Sequence, residues 1–223
     1  FKDKILELDL TPNRGDCLSL IGLARELNIF FEADLSVDIY SNEIETSNLD
    51  FTNLSPESCP KISFLEIEIE EPPAGYKEYL ASYFIDLDIN KNNFFTDISN
   101  YLSYEMGQPT HCFDAQKLKG NLTFETRDCY EEFETLLDKK INLEGKNCVF
   151  TSNNKIISLA GVMGGKKTAC STSTTKALIE CAYFDPSLII GKSVKYNLQS
   201  EAAHKFERGV DIDCQELVLR RFI

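Results

Sequence analysis

The chain has 223 residues, of which 43% are hydrophobic, and a formal net charge of −13 from 36 acidic and 23 basic side chains. That charge argues against nucleic-acid binding by bulk electrostatics, because phosphate contacts require Lys and Arg; an acidic domain can still receive one end of a nucleic acid that another domain holds. No apolar run approaches the ~20 residues of a membrane-spanning helix, so the expectation is a soluble cytoplasmic protein, with no membrane partner and a sizeable buried core.

Phe1 is no initiator methionine, no charged-then-apolar leader follows it, and "CQELVLRRFI" stops within a helical pattern. A piece of a longer protein is therefore expected. The eight cysteines are scattered without a Cys-x-x-Cys pair, which reads as reduced, mostly buried thiols. No metal site is expected, since ligand spacing is missing and the two histidines, His111 and His204, lie far apart in sequence.

In chain order, "TPNRGD" predicts a turn over Pro12–Gly15 with Asp16 as a helix N-cap. Leu20, Leu23, Ala24, Leu27 and Phe31 then recur at helical spacing. Residues 1–33 form a lead-in, and the acidic, Ser/Asn-rich stretch 34–58 reads as a linker to a domain over 59–223. "FLEIEIEE" alternates strictly and predicts a half-buried strand with Leu65, Ile67 and Ile69 on one face. Pro72-Pro73 opens a short helix through Leu80, and "FIDLDI" alternates again as a strand would. "NNFFTDISNYLSYEMG" predicts a helix closed by Gly107, with Pro109 forbidding its continuation.

The second half reads as short strands, "NLTFETR", "NCVFTS", "KIISLAG" and "ALIECAYF", separated by turn residues as in a sandwich. Helices return in "DPSLIIGKSVKYN" and "SEAAHKFERG", and a final helix runs to the end of the chain. The fold class expected is mixed α/β, a layered β-sandwich core flanked by helices.

Three features bear on chemistry. Gly161, Gly164 and Gly165 in "LAGVMGGKK" lack phosphate-loop spacing; they read either as a tight turn or as bare backbone that a ligand approaches. Glu180 sits inside the apolar run "ALIECAYF", where a carboxylate needs a partner, either a structural cation or a ligand donor. His111, in "GQPTHCFD", is either a hydrogen-bonded structural imidazole or a site residue. His204 reads as a residue of a helix surface or helix packing. No Gly-x-Ser-x-Gly elbow or sequence-local Cys–His pair supports a protein nucleophile.

"ELDLTPNRGDCLSLIGLAREL", "DISNYLSYEMGQPTHCFD", "LAGVMGG" and "ALIECAYFDP…LQSEAAHKFERGVD" together resemble the β subunit of bacterial phenylalanyl-tRNA synthetase, and more narrowly its B3/B4 editing domain with the lead-in before it. The resemblance implies hydrolysis of tyrosine wrongly esterified to tRNA(Phe), in support of phenylalanine–tRNA ligation by the whole enzyme. It implies an α-subunit partner in an (αβ)₂ assembly and the acceptor end of tRNA(Phe) as substrate, with this chain alone able to be monomeric. ATP and Mg²⁺ would act at a site outside this chain, which itself carries no cofactor.

The family's pocket falls on Ser99, Asn100, His111 and Ser200 as editing residues, Glu180 as the reader of the tyrosine hydroxyl, and Gly161, Gly164, Gly165 and Ala202 as lining. Ser99 and Ser200 stand where the family commonly has threonine, Thr110 and Cys112 replace Met and Ala, and "KSVKYN" replaces an Arg-rich stretch. The resemblance further implies that B3 and B4 share one core. A second sieve suits an apolar phenylalanine site that must tolerate some tyrosine. Two other readings are a non-catalytic scaffold for tRNA docking or subunit assembly, and a free-standing editing protein, which the lead-in disfavours.

Overall fold

A computed structural model describes residues 5–32 and 35–223. The start of the lead-in and its junction with the linker at 33/34 lie outside the described residues. In chain order the elements are α1 (Leu20–Leu27), β1 (Phe51–Asn53), β2 (Lys61–Glu68), α2 (Glu78–Asp86), α3 (Phe94–Met106), β3 (Thr110–Asp114), β4 (Leu122–Glu134) and β5 (Lys140–Ser152). They continue with β6 (Lys155–Leu159), β7 (Met163–Gly164), β8 (Lys176–Tyr183), α4 (Pro186–Ile189), α5 (Lys192–Tyr196), α6 (Glu201–Phe206) and α7 (Gln215–Phe222).

Two sheets result. One has the order β1-β4-β5-β6-β7, and the other β2-β8-β3. All pairings are antiparallel except β1 with β4. The apolar run in β8 is explained by its position at the centre of the three-stranded sheet, with both faces covered. Leu178 and Ala182 join Phe113, Phe124, Phe150 and Phe184 in the core shared with the five-stranded sheet. Ala177, Ile179 and Cys181 face the other way, against Phe95 and Leu102 of α3 and Val218 and Phe222 of α7. The order is therefore sheet, sheet, helices, the mixed α/β layering that the alternating strands predict. Removing one ring of the Phe124–Phe150–Phe184 cluster would cost about 3–5 kcal/mol.

Helix α3 keeps its expected ends. Asn93 caps it by accepting from Thr96 N–H at 3.1 Å, and Gly107 ends it at φ +80, a conformation that side chains resist. Its buried face carries Phe95, Ser99 and Leu102. The buried ammonium of Lys205, on α6, donates to Ser103 O near the end of α3 and to Leu18 O in the lead-in, each at 2.6 Å. One cation thus ties the lead-in to α3 and α6.

Several local expectations are corrected. The cap of α1 is Ser19, which accepts from Gly22 N–H at 3.0 Å. Asp16 instead binds Arg14 at 3.0 Å and Arg25 at 2.9 Å, and the Arg14 bond first of all pulls its carboxyl down to about 2. "FIDLDI" is no strand: α2 starts at Glu78, well after the prolines, and runs to Asp86. Leu80 and Phe84, one helical turn apart, take the buried positions, while Ile85 is left exposed. The stretch read as linker supplies β1, whose three residues are too few for a period to show. Strands β4 and β5 run 13 residues each, far past the motifs that announced them, and β3 carries His111 unannounced.

Candidate active site

Glu180 lies at the middle of β8 with Phe64 of β2 opposite on one side and His111 of β3 opposite on the other. Directly opposed residues hold their Cβ atoms about 5 Å apart on one face of a sheet. That face looks toward the five-stranded sheet, because Leu178 and Ala182, two residues either side of Glu180, belong to the core between the sheets. Glu180 is 4% exposed and, among the described residues, has no hydrogen-bond or ion-pair partner. Burial raises its carboxyl to about 8, so near neutral pH it is mostly uncharged. The structural cation that the sequence left open is not found among the described residues.

His111 is equally unserved. Its Nε2 is sealed from solvent without a hydrogen bond among the described residues, and its ring meets Phe113 edge-on at 4.4 Å. Burial lowers the imidazolium to about 4, leaving a neutral ring at pH 7. The hydrogen bond that a satisfied structural histidine would make is not seen among the described residues. His204, by contrast, is exposed on α6, with Nδ1 3.1 Å from Arg208 Nη1.

The three glycines separate into different roles. A Cβ on Gly164 would lie 2.2 Å from His111 Cε1, so glycine at this point makes room for the imidazole. Gly161 turns the chain at φ +69 with Phe184 Cδ2 only 2.9 Å from where its Cβ would be. Gly165 does not line the site: it bridges to Thr135 and donates to Ile157 O at 2.9 Å, behind the wall. That corrects its assignment as lining. A single 3-10 turn, Lys166–Thr168, follows the glycines, too short to present a helix N-terminus to a phosphate.

Ser99 and Ser200 hold the walls together. Ser99 Oγ donates to Thr110 O at 2.8 Å and lies 2.7 Å from Thr110 Oγ1, fastening α3 to β3. Ser200 caps α6 through Ala203 N–H at 3.1 Å and donates to Val162 O at 2.6 Å. Asn100 is exposed and Ala202 half-buried, both on the lining. With His111, Glu180, Gly161 and Gly164, these residues border one cavity of about 720 Å³. Sequence reasoning missed Leu136 and Leu137, which reach the same cavity from the β4–β5 tip. Nothing local marks them, because only the full length of the hairpin brings them there.

Other concentrations of polar groups are satisfied internally. A second cavity of about 510 Å³ lies among α2, α3 and α7, but Arg221 there is bidentate to Glu105 at 2.9 and 3.0 Å, and Arg220 binds Glu216 at 2.9 Å. Asp16, Cys17 and Glu26 bring ligand atoms within 4.8 Å of one another, and the Arg14 guanidinium already contacts all three.

The family model of the B3/4 domain matches residues 74–223. The chain belongs to the B3/4 domain family. Over 225 residues this B3/4 chain is 30% identical to the phenylalanine–tRNA ligase beta subunit of Psychrobacter arcticus, which covers 99% of this chain and 28% of that protein. It is 33% identical over 221 residues to the same subunit of Methylococcus capsulatus, with 98% and 28% covered. The chain thus spans little more than a quarter of the length of these curated relatives. A solved N-terminal fragment of the phenylalanyl-tRNA synthetase beta-subunit from Pyrococcus horikoshii is similar at a TM-score of 0.47 and 12% identity, over 88% of this chain and 58% of that one.

Proposed function

We propose that this B3/4 domain is the editing site of a phenylalanine–tRNA ligase and hydrolyses the ester of tyrosine mischarged to tRNA(Phe). The observation that carries the reading is the pairing of Glu180 and His111: a buried carboxyl and a half-buried imidazole, opposed on adjacent strands, both lining one cavity and both without a hydrogen-bond partner among the described residues. Leaving polar groups unserved costs stability, and a ligand that supplies the missing bonds recovers it. The tyrosine phenol is such a ligand for Glu180. Phenylalanine has no hydroxyl to offer and leaves the carboxyl as unserved as before.

With the phenol at Glu180, the ester carbonyl comes toward His111. A water oxygen attacks the carbonyl carbon, the bond to the ribose oxygen breaks, and a proton ends on that oxygen. A neutral imidazole, held against protonation down to about pH 4, is a weak base; with Nε2 sealed beside Gly164, Nδ1 is the atom left to orient the water or a ribose hydroxyl. Covalent catalysis has little support here. Both wall serines are engaged, and burial pushes the Cys112 thiol well above its ordinary range and Cys170 up to about 12. On this reading the α subunit and the tRNA acceptor end are the partners, and ATP and Mg²⁺ act outside this chain.

The test is deacylation of Tyr-tRNA(Phe) and Phe-tRNA(Phe) by the assembled enzyme carrying Glu180→Ala. Tyrosyl hydrolysis should fall by roughly 10–100-fold, about 1.4–2.7 kcal/mol, with phenylalanyl hydrolysis equal or higher. An unchanged ratio of the two rates would end the selectivity role of Glu180. Absence of deacylation by the wild-type enzyme would leave a docking scaffold instead.

A further inference from the structure

The tip of the β4–β5 hairpin is fixed over the cavity at several points. Leu136 N–H donates to Gly164 O at 2.9 Å, and Thr135 bridges to Gly165. Thr135 Oγ1 donates to Lys139 O at 3.0 Å, and Lys166 pairs with Glu134 at 3.3 Å and Asp138 at 2.5 Å. On this anchored tip stand two leucines that line the cavity and remain 39% (Leu136) and 58% (Leu137) exposed. Leu136 Cδ2 and His111 Cε1 close on the same spot, 2.8 and 2.2 Å from where a Gly164 Cβ would be. An apolar ledge therefore begins beside the imidazole and continues outward.

The cavity, about 720 Å³, is of the size that encloses a drug-sized ligand and exceeds one amino-acid side chain. A substrate with its phenol on Glu180 and its ester at His111 has this ledge beside its alcohol half. In an aminoacyl-tRNA that half is the terminal ribose and its base. Ribose hydroxyls and phosphates gain nothing from leucine side chains, whereas the flat face of a base buries apolar surface against them. Elsewhere on the lining, Asn92, Asn100, Ser171 and Thr172 are polar and uncharged and suit the sugar.

Resting on the editing reading above, we propose that Leu136 and Leu137 form the seat of the terminal nucleobase, a specificity subsite for the leaving-group half of the ester. Two esters that differ only in the base test it: the tyrosyl ester of adenosine and the tyrosyl ester of methyl riboside. The assembled enzyme should prefer the adenosine ester by about tenfold in kcat/KM, the size expected when one face of a base is buried against two aliphatic side chains. Leu136→Ser/Leu137→Ser should abolish that preference at an unchanged melting temperature. Leu137→Ser alone, at the more exposed position, serves if the double variant does not fold, and should reduce the preference. Equal rates in the wild type, or a preference that the variants retain, would overturn the subsite. Failure of the wild type to cleave either ester would remove the editing reading together with it.

Discussion

Glu105 and Glu180 are both buried carboxyls, 8% and 4% exposed, and the protein treats them in opposite ways. Glu105, near the end of α3, receives two bonds from Arg221 of α7 and a third from Tyr101 Oη at 2.9 Å. Glu180 receives none among the described residues. The fold is therefore able to bring a guanidinium to a buried carboxyl across more than a hundred residues, and does not do so at the centre of β8. A buried carboxyl left without a partner among the described residues, beside an equally unpartnered imidazole in a cavity, is a candidate for a site; a fully bonded one is a structural joint.

The largest effect expected from breaking this contrast is at the joint. Arg221→Met leaves the buried Glu105 carboxylate without its cation and with only the Tyr101 bond, and should lower stability by about 3 kcal/mol in a denaturant melt. A loss below 1 kcal/mol would show that the pair is solvated enough to be dispensable.

The next effect is in the pH dependence of stability. The Glu180 carboxyl goes from 4.5 to about 8 on folding, so between those values the folded protein keeps a proton that the unfolded chain has released. Stability from this group therefore falls as pH rises through that window. His111 goes from 6.5 to about 4. The folded protein then lacks a proton that the unfolded chain holds, and stability from the imidazole rises between pH 4 and 6.5. The two slopes oppose each other from pH 4.5 to 6.5 and leave Glu180 alone from 6.5 to 8. Over that last interval the carboxyl should remove about 2 kcal/mol, at 1.36 kcal/mol per unit. Glu180→Gln should abolish this decline in urea melts taken across the range. A decline of the same size in the variant would assign it to other groups.

The smallest effect concerns a polar group that is served. Ser99→Ala removes the bonds to Thr110 and should cost about 1 kcal/mol while Tyr-tRNA(Phe) deacylation continues. Loss of deacylation with an intact fold would make Ser99 a participant in the chemistry.

How much of this was legible in the sequence follows from where the physics is local. Asn93 and Gly107 end a helix through their own backbone preferences, and both ends of α3 were readable. Leu65, Ile67 and Ile69 alternate because one face of β2 is wet. The burial of Glu180 was readable from its apolar neighbours, but its lack of a partner was not, since a pairing such as that of Glu105 with Arg221 depends on tertiary placement. In "FIDLDI" the alternation of Ile85, Leu87 and Ile89 is real, yet Leu80 and Phe84 decide the outcome by burying a helical stripe that starts upstream. Asp16 and Ser19 are both good caps, and the arginines around Asp16 settled which was used. Leu136 and Leu137 enter the cavity because of how long two strands are, and no neighbouring residue encodes that. Family resemblance supplied the set Ser99, Asn100, Ser200 and Ala202, which no local pattern would have joined. It also brought in Gly165, which the fold places behind the wall.

The central position of β8 also shapes how the chain comes together. Leu65 of β2 cannot meet Ile179, nor His111 its neighbour Glu180, until the chain is complete as far as β8. Contacts so distant in sequence close slowly, and during synthesis β2 emerges long before its partner. For that interval "KISFLEIE" is a bare strand, the kind of edge on which unfolded chains aggregate. Glu66 and Glu68 guard it by charge while it waits. When β8 arrives, Lys176 closes on both carboxylates, at 3.0 and 3.3 Å, and the residues that kept the strand apart from the wrong partners fasten it to the right one.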